Sequence, residues 1–275
     1  MCRYFLFCLL TSTVFAGSHV QAAVRSAQEP GGTSVQVQVN PPIHRAEPPA
    51  PTASAEELEK RGDELRAQKD YLDALDYYRA ALAKNGTSAQ LWNRTGIPEI
   101  QLERYKDAKK DFEKAVKLDR GFAIAYNNLG VVCYKERNYG KAIKQYQHAI
   151  QLDSTSASFY SNLGAAYFGK KEFDKASAAY AQAVQLDPDI FERSSRTGVA
   201  AQLSSPEDRA HFDYVLAKLY AKNGLTDRSL QSLRRAMEEG YDRIRDVYKD
   251  PEFAELRKDA RFTELMASRP PAIPE

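Results

Sequence analysis

A 34-residue period runs through the middle of the chain and restricts its fold more than any single motif does. Glycine recurs at Gly62, Gly96, Gly130 and Gly164. Twelve residues after each stands an alanine: Ala74, Ala108, Ala142 and Ala176. Four further on comes an aromatic (Tyr78, Phe112, Tyr146, Tyr180), and three beyond that a second alanine (Ala81, Ala115, Ala149, Ala183). Four in-phase copies of one phrase mark an array of structural repeats.

Each copy reads as two helices. In the third, Tyr126, Leu129, Gly130, Cys133 and Tyr134 recur at helical spacing. After a break at Arg137-Asn138-Tyr139, the residues Ala142, Ile143, Tyr146, Ala149 and Ile150 form a second apolar stripe. Gly130 and Ala142 let the paired helices approach, with aromatics from neighbouring turns between them. A single helix pair cannot bury its apolar face, so stability comes from stacking copies.

These landmarks resemble the tetratricopeptide repeat, whose signature is W-x2-L-G-x2-Y, then A-x3-F, then a closing proline. Residues 157–190 match best, with Tyr160, Leu163, Gly164, Tyr167, Ala176, Tyr180, Ala183 and Pro188. Residues 123–156 place Cys133 at the tyrosine position and Ser154 at the proline. Residues 89–122 keep Trp92 and Gly96 but carry Thr95 and Glu99 for leucine and tyrosine, and residues 55–88 are weakest in their opening helix. A diverged fifth copy, 210–243, keeps phase through Leu216, Ala217, Tyr220, Gly224, Leu233 and Ala236. The resemblance implies an all-α fold, a right-handed α-solenoid of helix-turn-helix repeats. Pro98 departs from the pattern inside the first helix of the second copy, where it predicts a kink that widens the surface beside Ile97 and Ile100.

The flanks are different in kind. Residues 1–22 have a positive start at Arg3, an uncharged and mostly apolar run from Tyr4 to Ala16, and small residues before the Ala22–Ala23 bond. That is the anatomy of a cleavable secretory signal, and the apolar run falls short of the ~20 residues that span a bilayer. Removal of Cys2 and Cys8 with the signal leaves Cys133 as the mature chain's cysteine, expected as a small buried core residue. Residues 23–54, with clustered prolines and few large apolar groups, read as a flexible tether. Residues 191–209 read as an insertion between repeats, a solvated connector in which Arg193 and Arg196 are the candidate anion contacts. Within it, Ser205-Pro206-Glu207-Asp208 carries the marks of a helix start. Residues 244–269 repeat an acid–phenylalanine–leucine phrase at Phe253/Leu256 and Phe262/Leu265, expected as short helices that cap the stack. Residues 270–275 form a loose tail.

Charge and motifs argue against several functions. The 39 basic and 37 acidic residues give a net charge of +2 and are intermingled along the chain, unlike a nucleic-acid track. The four histidines have no metal-ligand spacing, and no phosphate loop or nucleophile motif is present, so neither cofactor nor catalysis is expected. Asn85-Gly86-Thr87 and Asn93-Arg94-Thr95 fit the glycosylation sequon.

The resemblance further implies that the first helix of each copy lines a concave groove for a protein or peptide partner. Carried over by copy, the groove comprises Asn93, Arg94, Ile97, Ile100 and Gln101, then Asn127, Asn128, Val131, Tyr134 and Lys135, then Ser161, Asn162, Ala165 and Phe168. Amides would pair a peptide backbone and apolar groups would receive its side chains, with Tyr134 and Phe168 as anchors. Asn128 and Asn162 also admit a packing role between copies. The family's clamp for a terminal carboxylate resembles a lysine–asparagine set beginning in the first copy. Glu59 and Asp63 occupy those positions here and argue against that specificity. The reading is an exported, non-catalytic interaction scaffold in a bacterial periplasm or envelope. Two alternatives stand beside it: an accessory subunit of an envelope enzyme or secretion machine, and an enzyme with an unrecognised site near the insertion.

Overall fold

The computed structural model describes residues 45–194 and 205–268. The signal at 1–22, the linker as far as residue 44, Arg196 and the tail at 270–275 lie outside these residues, as does the side chain of Arg193.

Among the described residues every regular element is helical. Four pairs follow one another: α1 (Ala55–Ala67) with α2 (Tyr71–Lys84), α3 (Ala89–Gln101) with α4 (Tyr105–Leu118), α5 (Ala123–Lys135) with α6 (Tyr139–Leu152), and α7 (Ala157–Gly169) with α8 (Phe173–Leu186). A short α9 (Ile190–Ser194) precedes a fifth pair, α10 (Pro206–Lys222) with α11 (Thr226–Glu238). Three 3-10 turns, Ile244–Tyr248, Pro251–Phe253 and Leu256–Lys258, lead to α12 (Ala260–Ser268). Within the first four pairs each helix packs against its partner, and the second helix of a pair packs against the first helix of the next, which is the stacking of an α-solenoid.

The same backbone device joins the helices of each of the first four pairs. Lys69, Glu103, Arg137 and Lys171 take positive φ, between 58° and 68°. The following N–H then donates back into the first helix: Asp70 to Leu65, Arg104 to Glu99, Asn138 to Cys133 and Glu172 to Tyr167, at 2.8–3.0 Å. This is the Schellman closure, built here without glycine. Gly224 supplies it in the fifth pair at φ 71°, where Leu225 N–H donates to the Tyr220 carbonyl at 2.9 Å.

The repeating glycine and aromatic are two halves of one contact. A Cβ on Gly62, Gly96, Gly130 or Gly164 would lie 2.4–2.7 Å from a ring atom of Tyr78, Phe112, Tyr146 or Tyr180 respectively. Those four rings are fully buried, as are the alanines that flank them along the second helices. The fifth pair exchanges volume across the same contact. Ala217 stands at the glycine position and Leu233 at the aromatic position, both at 0% exposure.

Pro98 lies buried within α3, which runs unbroken for 13 residues, the same length as α5 and α7. The expected distortion therefore does not interrupt the helix. Leu102 N–H still donates to the Pro98 carbonyl at 3.0 Å, so the ladder closes on the far side of the ring.

Two readings of the flanks are corrected. Residues 45–54 are not a free tether. Arg45 pairs with Asp73 and Asp76 on α2, Tyr77 Oη donates to the Glu47 carbonyl at 3.0 Å, and Lys84 Nζ donates to the Pro51 carbonyl at 2.9 Å. Ser54 then closes a capping box with Glu57 at the start of α1. Nor is the segment after residue 190 wholly a solvated connector. Phe191, its first residue, is buried, with its ring edge-on to Tyr180 at 5.2 Å. Ser205 Oγ accepts from Asp208 N–H at 3.1 Å, so α10 begins at Pro206 and carries Arg209, which meets Glu239 at 3.1 Å.

At the other end Phe253, Leu256, Phe262 and Leu265 are buried against Tyr214, Leu233, Ala236 and Met237 of α10 and α11. The first of the two tail phrases is a pair of 3-10 turns and the second an α-helix. No helix among the described residues is long and apolar enough to cross a membrane.

Candidate partner-binding face

The first helices α3, α5 and α7 carry every residue assigned to the groove, and burial divides that set. Tyr134, Phe168, Ala165, Asn93, Asn127 and Ser161 are buried. Arg94, Ile97, Ile100, Asn128, Val131, Lys135 and Asn162 are partly exposed, and Gln101 is exposed.

The anchor assignment is corrected. Phe168 is 2% exposed, with the rings of Phe173, Phe212 and His211 packed edge-on at 5.0, 6.1 and 5.5 Å. Helix α10 therefore covers the position that was expected to face a partner. Tyr134 is 7% exposed and lies 5.3 Å from Tyr139; burial holds its hydroxyl proton well above the usual phenol range. Burial likewise leaves His211 harder to protonate than usual. A sequence signal for this existed: an aromatic five residues before another, across the left-handed turn, brings the two rings together. Ala165 is closed off for a simpler reason, since it packs among Cys133, Ala142 and Tyr146.

The amides are also occupied. Asn162 Nδ2 donates to Asn127 Oδ1 at 2.9 Å, Asn127 Nδ2 to Asn128 Oδ1 at 3.4 Å, and Asn128 Nδ2 to Asn93 Oδ1 at 2.8 Å. This ladder ties α7 to α5 and α5 to α3, satisfying buried polar groups that would otherwise cost stability. The packing role for Asn128 and Asn162 is the one the structure shows. Asn93, buried in this ladder, is closed to glycosylation, whereas Asn85 is exposed just past the end of α2.

Arg94 is neutralised from within. Its guanidinium meets Glu59 at 2.9 Å and also pairs with Asp63. The two acids at the clamp positions thus hold a cation of the same chain, and Asp63 additionally accepts from Tyr78 Oη at 2.7 Å. What remains accessible is a short apolar row, Ile97 and Ile100 on α3 and Val131 on α5, edged by Arg94, Gln101, Asn128, Lys135 and Asn162. Burial makes the Lys135 ammonium easier to deprotonate than a free lysine.

Sequence reasoning missed a second feature on α3. A cavity of about 380 Å3 lies between α2, α3 and α4, walled by Trp92, Leu82 and Ala83 and by Arg79, Glu99, Asp107, Lys110 and Asp111. The signal was the pair of departures already visible at Thr95 and Glu99, where the repeat pattern calls for a leucine and a tyrosine. Cys133, the equivalent of Glu99 in the next copy, is 7% exposed, and burial pushes its thiol pKa up, as for an inert core thiol. Among the described residues no cluster of His, Cys, Asp or Glu could hold a metal ion.

Comparison with family models agrees with the repeat pairs described above. Tetratricopeptide-repeat family models match residues 157–190 and 99–122, and a TPR-repeat model matches residues 132–171. A curated relative, the small glutamine-rich tetratricopeptide repeat-containing protein 2 of Saccharomyces cerevisiae, is 29% identical over 116 residues, covering 42% of this chain and 34% of its own. The chain thus spans about a third of the length of that relative. Among solved structures, MamA is 24% identical, with 65% of this chain and 93% of that one covered at a TM-score of 0.46. TTC0263, a thermophilic TPR protein of Thermus thermophilus, is 21% identical, with 78% and 100% covered at a TM-score of 0.48. The chain carries tetratricopeptide repeats.

Proposed function

We propose that the protein is a non-catalytic interaction scaffold that docks a segment of a protein partner on the first-helix face of its repeats. The observation that carries this is the accessible apolar row of Ile97, Ile100 and Val131 with polar groups on its edges. Apolar side chains left in contact with water within a polar rim are the ordinary makings of a peptide-sized contact. The match of residues 99–122 and 132–190 to tetratricopeptide-repeat models supports the same reading.

A photo-crosslinking residue placed at position 97 or 131 should capture the partner in the native host, while one at exposed Lys144 on α6 should not. Equal capture from all three positions, or none from 97 and 131, would remove the face from consideration. Replacing Ile97 and Val131 together by serine should weaken binding of the identified partner by about tenfold or more, roughly 1.4 kcal/mol.

We also propose that the chain is exported, to a bacterial periplasm or envelope, on a signal cut at Ala22–Ala23. The charged start at Arg3, the apolar run and the small residues before the bond support this. Intact-mass measurement of protein from the native host should find a chain that begins at Ala23; a mass retaining Met1 would contradict it.

A further inference from the structure

The cavity beside α3 holds more acid than base. Glu99 is 1% exposed, and Arg79 from α2 meets its Oε1 at 2.6 Å. Its other oxygen, Oε2, is shut off from solvent with no hydrogen-bond donor directed at it. Asp111 on α4 lines the same cavity as Glu99, and each carboxyl acts on the ionisation of the other. The remaining charged groups of the cavity wall are Asp107 and Lys110, also on α4, which pair with each other at 3.1 Å. Helix α5 adds no residue to that wall. One buried and one partly exposed carboxyl therefore share a cavity wall with one guanidinium, and two carboxylates cannot hydrogen-bond unless one of them keeps a proton.

We propose that Glu99 and Asp111 share a single proton and form a pH-responsive latch across the joint between residues 55–88 and 89–122. With the proton in place, the Asp111 carboxyl donates to Glu99 Oε2, which satisfies the orphaned oxygen. Without it, two negative charges lie side by side in a poorly solvated site, and the α2–α3–α4 junction loosens. The latch does not depend on whether the first-helix face binds a partner.

Burial, with the neighbouring Glu99 charge, pushes the Asp111 carboxyl up to about 7; for so close a pair the titration belongs to both groups. An unfolded aspartate ionises near pH ~4. Between those limits the folded state binds a proton that the unfolded chain has lost, so stability falls as pH rises through the window and levels off above it. The effect on the folding equilibrium is at most about tenfold per pH unit. Asp213, which burial pushes up to about 6 despite its pairing with Arg235, contributes a loss in part of the same window, so the test must isolate the pair.

Carbon-13 NMR of the side-chain carboxyls, titrated in the full chain, should find one resonance of the Glu99/Asp111 pair with a midpoint above about pH 6. In Asp111→Asn the amide donates to Glu99 without titrating. The unfolding midpoint of this variant should therefore fall less between about pH 5 and pH 8 than that of the parent. If Asp111→Asn does not fold, Glu99→Gln serves the same comparison. The proposal is overturned if both carboxyls of the parent titrate below about pH 5, or if the variant keeps the parent's full dependence on pH.

Discussion

At the joint where one helix pair stacks on the pair before it, residues 157–190 present Tyr167 and residues 89–122 present Glu99. The backbone around the two is equivalent, down to the left-handed turn residues Lys171 and Glu103. The partners across the joint are equivalent as well: Gln147 donates to Tyr167 Oη at 3.1 Å, and Arg79, at the corresponding place on α2, donates to Glu99 at 2.6 Å. In the later copy the ring fills the joint and Lys175 sits 5.6 Å from its centre. In the earlier copy a shorter side chain leaves the cavity and brings in a second acid. The comparison teaches that the repeat backbone tolerates two different chemistries at one joint, provided the neighbouring helix supplies a matching donor.

The two copies differ again one residue along, where Phe168 is sealed under α10 and the equivalent Ile100 remains half-buried. The largest expected effect follows from this. Phe168→Ala should destabilise the array by about 3–5 kcal/mol, whereas Ile100→Ala should cost about 1–2 kcal/mol because less area leaves contact. Denaturant unfolding of the two variants decides it, and equal losses would mean that α10 does not cover Phe168 in solution.

Position 98 sharpens the comparison, since residues 157–190 have Ala166 where residues 89–122 have Pro98. Pro98→Ala restores an N–H for the Arg94 carbonyl and relieves the ring's crowding of that turn, so it should stabilise by about 1–3 kcal/mol. A lower melting temperature would show instead that the packing around α3 has been built to the proline.

The smallest expected change converts one joint into the other. Glu99→Tyr places the later copy's residue in the cavity, removes the acid pair and leaves Arg79 a hydroxyl to donate to. Replacing a buried ionic contact by a well-packed side chain should stabilise by about 1–2 kcal/mol, and the pH dependence assigned to the pair should vanish with it. A rise in pH sensitivity would break the equivalence between the two joints.

Much of the array was legible because its landmarks obey local geometry. Gly130 was legible as a place of close helix approach from its spacing, and the structure shows that the Tyr146 ring is what a Cβ there would strike. Asn128 and Asn162 were readable as packing groups, although their ladder through Asn127 and Asn93 was not. The groove assignment failed at Tyr134 and Phe168 for a definite reason. A helix periodicity says which residues share a face; it does not say which element arrives from far along the chain to cover that face. Phe168 is buried by Phe212 of α10, beyond the segment that broke the repeat phase. The docking of Arg45 onto Asp73 and Asp76 was hidden in the same way, because a proline-rich composition reports little local order and nothing about a distant ion pair.

The sequence by itself determined the helix pairs, their phase, the close glycine–aromatic contacts and the terminal apolar phrases, all of them set by spacing within a repeat or between adjacent ones. Tertiary structure decided which of the first-helix residues stay in contact with water, how the ends of the array are covered, and that Glu99 and Asp111 line one cavity. Burial and the ionisation that follows from it are properties of everything packed around a side chain, and those neighbours come from several helices at once.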